Sequence, residues 1–194
     1  MPSGLPGHRE LSCDAICTHD PARARALVKE AFGNTTPTIA YDYPTGAPND
    51  TLAASLATEL AAVGIKLQGR PHPPGDYLGL LNANTLQAFH LVWVADYPLA
   101  DWFLSPLFRS GSADNHSGYR ASTVETLIAQ ARSTADATQR LGLYREVEQQ
   151  VLGDMAASPI GFFRNHYAAT GRVRGFYADA LGGFEVARLS LSLT

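Results

Sequence analysis

A lone acid closes an apolar run in VWVADYPLADWFLSPLF, residues 92–108. A carboxylate costs several kcal/mol to bury without a partner, so Asp96 has either a local donor or a ligand to meet. The local choice is a turn, with Asp96 accepting from the backbone N–H groups of Tyr97 to Leu99. The ligand choice follows from its place at the carboxyl end of a strand, outside which open α/β sheets bind their ligands. Residues three apart on a strand point to opposite faces, so Trp93 and Asp96 converge only if the chain bends at Val94-Ala95. Asp101 and Trp102 carry the same ambiguity, with helix capping favoured for Asp101.

Other chemistries find little footing. There is no G-x-G-x-x-G after a strand, no G-x-x-x-x-G-K-[ST] and no G-x-S-x-G elbow. The six histidines never stand at H-x-x-x-H spacing, so no metal site and no cofactor are expected. Cys13 and Cys17 form a C-x-x-x-C that is a candidate small disulfide or a pair of free thiols. A net charge of -3 with scattered Lys and Arg excludes a nucleic-acid footprint. No apolar run is long enough to cross a bilayer, and the N-terminal stretch has neither the basic start nor the apolar core of a signal peptide.

The elements that hold these residues read as α/β. DPARARALVKEAF (20–32) is a helix with Asp20 as N-cap, Pro21 in the first turn and Gly33-Asn34 as its stop. Its apolar stripe is Ala24, Leu27, Val28 and Ala31. TIAYDY (38–43) is a strand. Residues 48–64 form a helix capped by Asn49 or Asp50, and IKLQGR (65–70) is a second strand. Strand, helix and strand within about thirty residues make a βαβ unit with parallel pairing. PHPPG (71–75) is a loop and 76–84 a short helix. LQAFHLVWVA (86–95) is a third strand whose continuous apolar run suits burial on both faces. Residues 97–121 read as a loop. Two capping signals then open helices at 122–133 (Ser122 with Glu125) and 136–155 (Asp136 with Gln139). The expected fold class is α/β, a small mixed sheet flanked by helices.

In that order, several stretches resemble a known family. W-x-A-D-Y-P from Trp93, then Asp101, Trp102 and FLSPLF, then Gly118-Tyr119 and LYREVEQQVL (143–152), is similar to the C-terminal part of the family 5 extracytoplasmic solute-binding proteins. These are the oligopeptide- and dipeptide-binding receptors of ABC importers. GLPG (4–7), residues 19–32, residues 41–68 and SPIGFFRNHYAATGRVRGF (158–176) extend the likeness over nearly the whole chain.

The resemblance implies the second lobe of a type 2 periplasmic-binding-protein-like fold. Residues 1–165 would be the ligand-binding lobe. Residues 166–194 would return toward a first lobe that, like the lipoprotein signal and most of the hinge, is missing. It implies a peptide or amino-bearing solute as ligand, an importer permease as partner and an extracytoplasmic location. Asp96 matches the acid that pairs with the ligand's α-ammonium; Trp93, Tyr97, His90 and Trp102 surround it in the sequence. Pro74, Leu81 and His90 stand where oligopeptide-binding relatives often carry a Trp and two Arg that meet ligand carboxylates. That departure favours a longer peptide, a cationic or amino-bearing solute, or a sugar-like ligand. Two other readings stay open: a small hydrolase with Asp96 as general base and His90 near it, and an interaction domain that retains the fold without a ligand.

Overall fold

The computed structural model describes residues 1–10, 18–179 and 183–192. Cys13 and Cys17 lie outside the described residues. Contacts divide the chain into two compact units.

The sheet unit spans residues 13–93 and 110–120. Three helices, α1 (Pro21–Phe32), α2 (Ala47–Ala61) and α3 (Pro74–Asn82), accompany a sheet of β1 (Thr38–Pro44), β2 (Lys66–His72) and β3 (Ala88–Phe89). Strand order is β2-β1-β3 and all pairing is parallel, with Tyr41 opposite Gly69 on one side and Ala88 on the other. Asp20 caps α1 as its sequence requires, accepting from Arg23 N at 2.9 Å. The expected apolar stripe of α1 is not buried, and Leu27 is half exposed. The cap of α2 is also not the expected one: Gly46 takes the position, its N–H donates to Asp50 Oδ2, and Asn49 turns back to donate to Pro44 O.

Alternation along β1 sorts its side chains. Tyr41 and Tyr43 stack at 5.6 Å and build the core with Ala53 of α2, against which Leu56, Leu67 and Ala88 pack. Asp42 faces the opposite way. On β2, Lys66 N donates to Pro37 O and His72 O accepts from Thr45 N, so the even-numbered residues bond to β1. Pro71 therefore turns its nitrogen to the open edge, the one place in a ladder where proline costs no hydrogen bond.

The third strand is a correction. Of residues 86–95 only Ala88–Phe89 pair, and Leu91, Val92 and Val94 are exposed rather than buried on both faces. The reason lies in β1. His90 N donates to Asp42 O at 2.9 Å, and the next parallel bond would run to His90 O from the N–H of residue 44. That residue is Pro44, which has none. The Tyr77 hydroxyl of α3 takes its place, 2.7 Å from His90 O and 2.9 Å from Asp42 O.

The helical unit holds residues 1–12, 94–109 and 121–194. It contains α4 (Ala100–Phe108), α5 (Ser122–Ser133) and α6 (Ala137–Gly153). The helix α4 corrects the loop expected over 97–121; its Pro106 sits in the last turn, while Leu104, Ser105 and Phe108 are buried. Val124, Ile128 and Ala131 of α5 and Tyr144, Val147, Val151 and Leu152 of α6 complete the core. Asp136 caps α6 by accepting from Gln139 N. The capping box at α5 does not form: Ala121 is the cap residue, no side chain caps the helix, and Glu125 lies 3.6 Å from Arg109. Residues 158–170 are exposed and irregular. A ribbon follows, with β4 (Val173–Arg174) antiparallel to β5 (Ser190–Leu191).

Tyr77→Phe removes the donor that replaces the missing Pro44 N–H. Leaving a buried carbonyl unpaired costs about 1–3 kcal/mol, so urea unfolding of the variant is expected at lower denaturant by that amount. Pro44→Ala in the same background returns an N–H to the ladder and is expected to recover part of the loss.

Candidate functional site

In the sheet unit the strand order places a topological switch between β1 and β3: the chain leaves β1 for β2 and then crosses back to β3. Ligands in open α/β sheets bind outside the carboxyl ends of strands at such a point. The polar groups there are concentrated. Asp42 is almost fully buried, and its Oδ1 lies 2.6 Å from His72 Nε2. Its Oδ2 is buried without a hydrogen-bond partner among the described residues. His72 stacks on the Tyr77 ring at 6.1 Å and keeps a quarter of its side chain exposed. Burial pushes the Tyr77 hydroxyl pKa well up, despite the opposing hydrogen bond to His90. His90 is half-buried with Nδ1 3.4 Å from the Tyr41 hydroxyl, and burial lowers its pKa. Trp93 is half-buried in the same unit. Leu81 is in the core of α3, and Pro74 is that helix's first residue.

In the helical unit Asp96 stands at a bend, exposed, with no hydrogen bond or ion pair among the described residues. The turn after it closes without its side chain, through Leu99 N donating to Tyr97 O at 2.8 Å. The Tyr97 and Trp102 rings meet edge to face, 5.6 Å apart at 84°. Tyr97, Trp102 and Asp96 thus share one unit, and His90 and Trp93 belong to the other.

Asp101 has the opposite fate. From the first turn of α4 it receives Arg132 Nε on Oδ1 (3.0 Å), the other guanidinium arm on Oδ2 (2.8 Å), the Tyr144 hydroxyl (2.9 Å) and the Ser105 hydroxyl. Burial works to raise its pKa, but those hydrogen bonds outweigh burial and hold the carboxyl below its usual range. Burial and the bond to Asp101 push the Tyr144 hydroxyl up to about 12. So Asp101 ties α4 to α5 and α6 rather than capping a helix.

Sequence reasoning missed Asp42, His72 and Tyr77. For Asp42 a signal was present: a charged residue between two tyrosines in a strand with no other charge. No group of three or more His, Cys, Asp or Glu side chains is placed to hold a metal among the described residues.

The sequence model for bacterial extracellular solute-binding proteins, family 5 Middle, matches residues 1–115, and the chain belongs to that family. Among curated relatives, it is 28% identical over 184 residues to the glutathione-binding protein GsiB of Pectobacterium atrosepticum, which covers 89% of this chain and 36% of that one. It is 29% identical over 188 residues to the di/tripeptide-binding protein 4 of Pseudomonas aeruginosa, covering 89% and 34%. The periplasmic binding protein DppA of Helicobacter pylori, solved with the peptide STSA, superposes with a TM-score of 0.76 at 19% identity over 98% of this chain and 38% of that one. The chain spans about a third of the length of the curated relatives it matches.

Asp101→Asn tests the helical network. A carboxyl held below its usual pKa contributes stability above about pH 4, lost as the pH falls through the lowered folded value. Urea unfolding at stepped pH is expected to show Asp101→Asn less stable by about 1–3 kcal/mol near neutrality, with the gap to the parent closing in acid. A constant gap across pH would assign the effect to packing instead.

Proposed function

We propose that this chain is the ligand-binding lobe of an ABC-importer substrate-binding protein. It takes peptides or other amino-bearing solutes in a cleft that a first lobe closes. Residues 1–165 supply the lobe, and 166–194 run toward the first lobe; the exposed, irregular stretch 158–170 that leads into them supports that division. The receptor works outside the cytoplasm and hands its solute to a membrane permease. Family membership supports each of these steps.

Asp96 is the residue that greets the ammonium. The observation that carries this is its state in the structure: an exposed carboxylate at a bend, unpartnered among the described residues, next to the Tyr97–Trp102 ring pair. Such a group keeps its full capacity to accept from an arriving cation. Closure then removes water and strengthens the pair. Hinge closure shifts populations by as much as the ligand's differential contacts allow. Trp93 and His90 are proposed as solute contacts within the sheet unit.

The hydrolase alternative requires a nucleophile within hydrogen-bond reach of its base; Asp96 accepts from none among the described residues. The relatives are binding proteins. An interaction domain without a ligand is separated from the receptor by the following experiment.

Calorimetry with trialanine on a receptor that joins a first lobe to this chain is expected to show saturable binding. Asp96→Asn should weaken it about a hundredfold or more, since an ammonium left unpaired on burial costs about 3–5 kcal/mol. The chain alone, with half of the contacts, should bind far more weakly. Equal affinity of the Asp96→Asn receptor would remove Asp96 from the site, and no binding by the parent receptor would favour the interaction domain.

A further inference from the structure

We propose that Arg70 and His72, seated over the buried Asp42 at the carboxyl end of β2, form a subsite for the carboxylate group of a solute. The two residues are two apart on one strand, so their side chains leave the same face about 7 Å apart along it. Asp42 belongs to that face too, since it is the register partner of Arg70 and contacts His72.

The three differ sharply in burial. Asp42 is 2% exposed, His72 keeps a quarter of its side chain in solvent, and Arg70 is exposed. Asp42 Oδ1 holds Nε2 of the His72 ring, and Tyr77 stacks against the ring. The ring is thereby oriented, and Nδ1 is the nitrogen left for a further partner. The Arg70 side chain makes no hydrogen bond or ion pair among the described residues. A guanidinium reads a carboxylate through paired N–H donors, and a charged imidazole adds a donor at Nδ1. Asp42 contributes its negative charge beneath these groups, with Oδ1 held by His72 and Oδ2 without a hydrogen-bond partner among the described residues. That charge keeps positive partners at this strand end while itself being too buried to reach a ligand. The site also lies where parallel strands end, the expected edge for ligands in such sheets.

This inference rests on the receptor reading only for the choice of solute: an amino-bearing peptide also presents a carboxylate.

The test is an NMR titration of the 194-residue chain with trialanine and, separately, with trialanine amide, to tens of millimolar, following the His72 Cε1–H, Arg70 Nε–H and Trp102 indole signals. His72 and Arg70 are expected to shift saturably with trialanine and far less with the amide. Arg70 is exposed, so Arg70→Gln leaves the fold intact; it should weaken the His72 response about tenfold or more, the value of a charge-assisted hydrogen bond. His72→Gln should do the same to the Arg70 response. No shift at His72 and Arg70, equal shifts with the amide, or an unchanged response in Arg70→Gln each overturn the subsite. The Trp102 signal separates the two readings. If it moves while His72 and Arg70 stay still, the amine site stands and this subsite falls. If His72 and Arg70 respond alone, the subsite stands without it.

Discussion

A backbone carbonyl that loses its ladder partner must be given another donor or be left in water. At the end of the β1–β3 pairing, Pro44 withholds the N–H that His90 O requires, and the Tyr77 hydroxyl stands in for it. Much of the sheet unit follows from this substitution. It ends β3 after two residues and releases 91–95 from the ladder. It pins α3 to the point where strand order reverses, and brings the Tyr77 ring against His72. His72 in turn meets the one carboxylate that β1 buries. A proline in one strand thus decides where a tyrosine from a helix must sit, and the tyrosine decides which polar groups gather at the edge.

The helical unit answers a similar demand with charge. Asp101 is partly withdrawn from solvent and satisfied from three sides by Arg132, Tyr144 and Ser105. Charges withdrawn from water persist when they are both paired and hydrogen-bonded, and this half-buried one joins three helices. Five residues earlier Asp96 has neither donor nor cation among the described residues. Two acids in one short stretch therefore meet opposite fates, one consumed by the fold and one left exposed at a bend.

Elements governed by local chemistry were legible in the sequence. Asp20 and Asp136 cap the helices that they announce, because an N-cap needs only its own next turn. The βαβ unit and its parallel pairing followed from length and pattern. Most of the failures depend on partners distant in sequence. The third strand reads as buried by composition, yet its length is set by Pro44, more than forty residues earlier. The helix α4 was hidden behind Pro98 and Pro106, and burial of Leu104, Ser105 and Phe108 overrides that signal. Ser122 and Glu125 have the spacing of a capping box, but Arg109 stands close to the Glu125 carboxylate. Family resemblance groups the aromatic and acidic residues around Asp96; Tyr97 and Trp102 share its unit, and His90 and Trp93 belong to the sheet unit. Asp101's role was not legible, since it depends on Arg132 and Tyr144.

Pro71 has one more effect. Its nitrogen faces the bare margin of β2, so a foreign strand laid along that margin meets a gap in the row of donors. Annexation of the sheet from that side, the route by which stray segments seed fibrils, is interrupted at its last residues. The opposite margin, beside the two-residue β3, offers too short a template to recruit one. A three-stranded sheet with such margins can stay open at its carboxyl end for a guest molecule without inviting a neighbour's backbone to extend it.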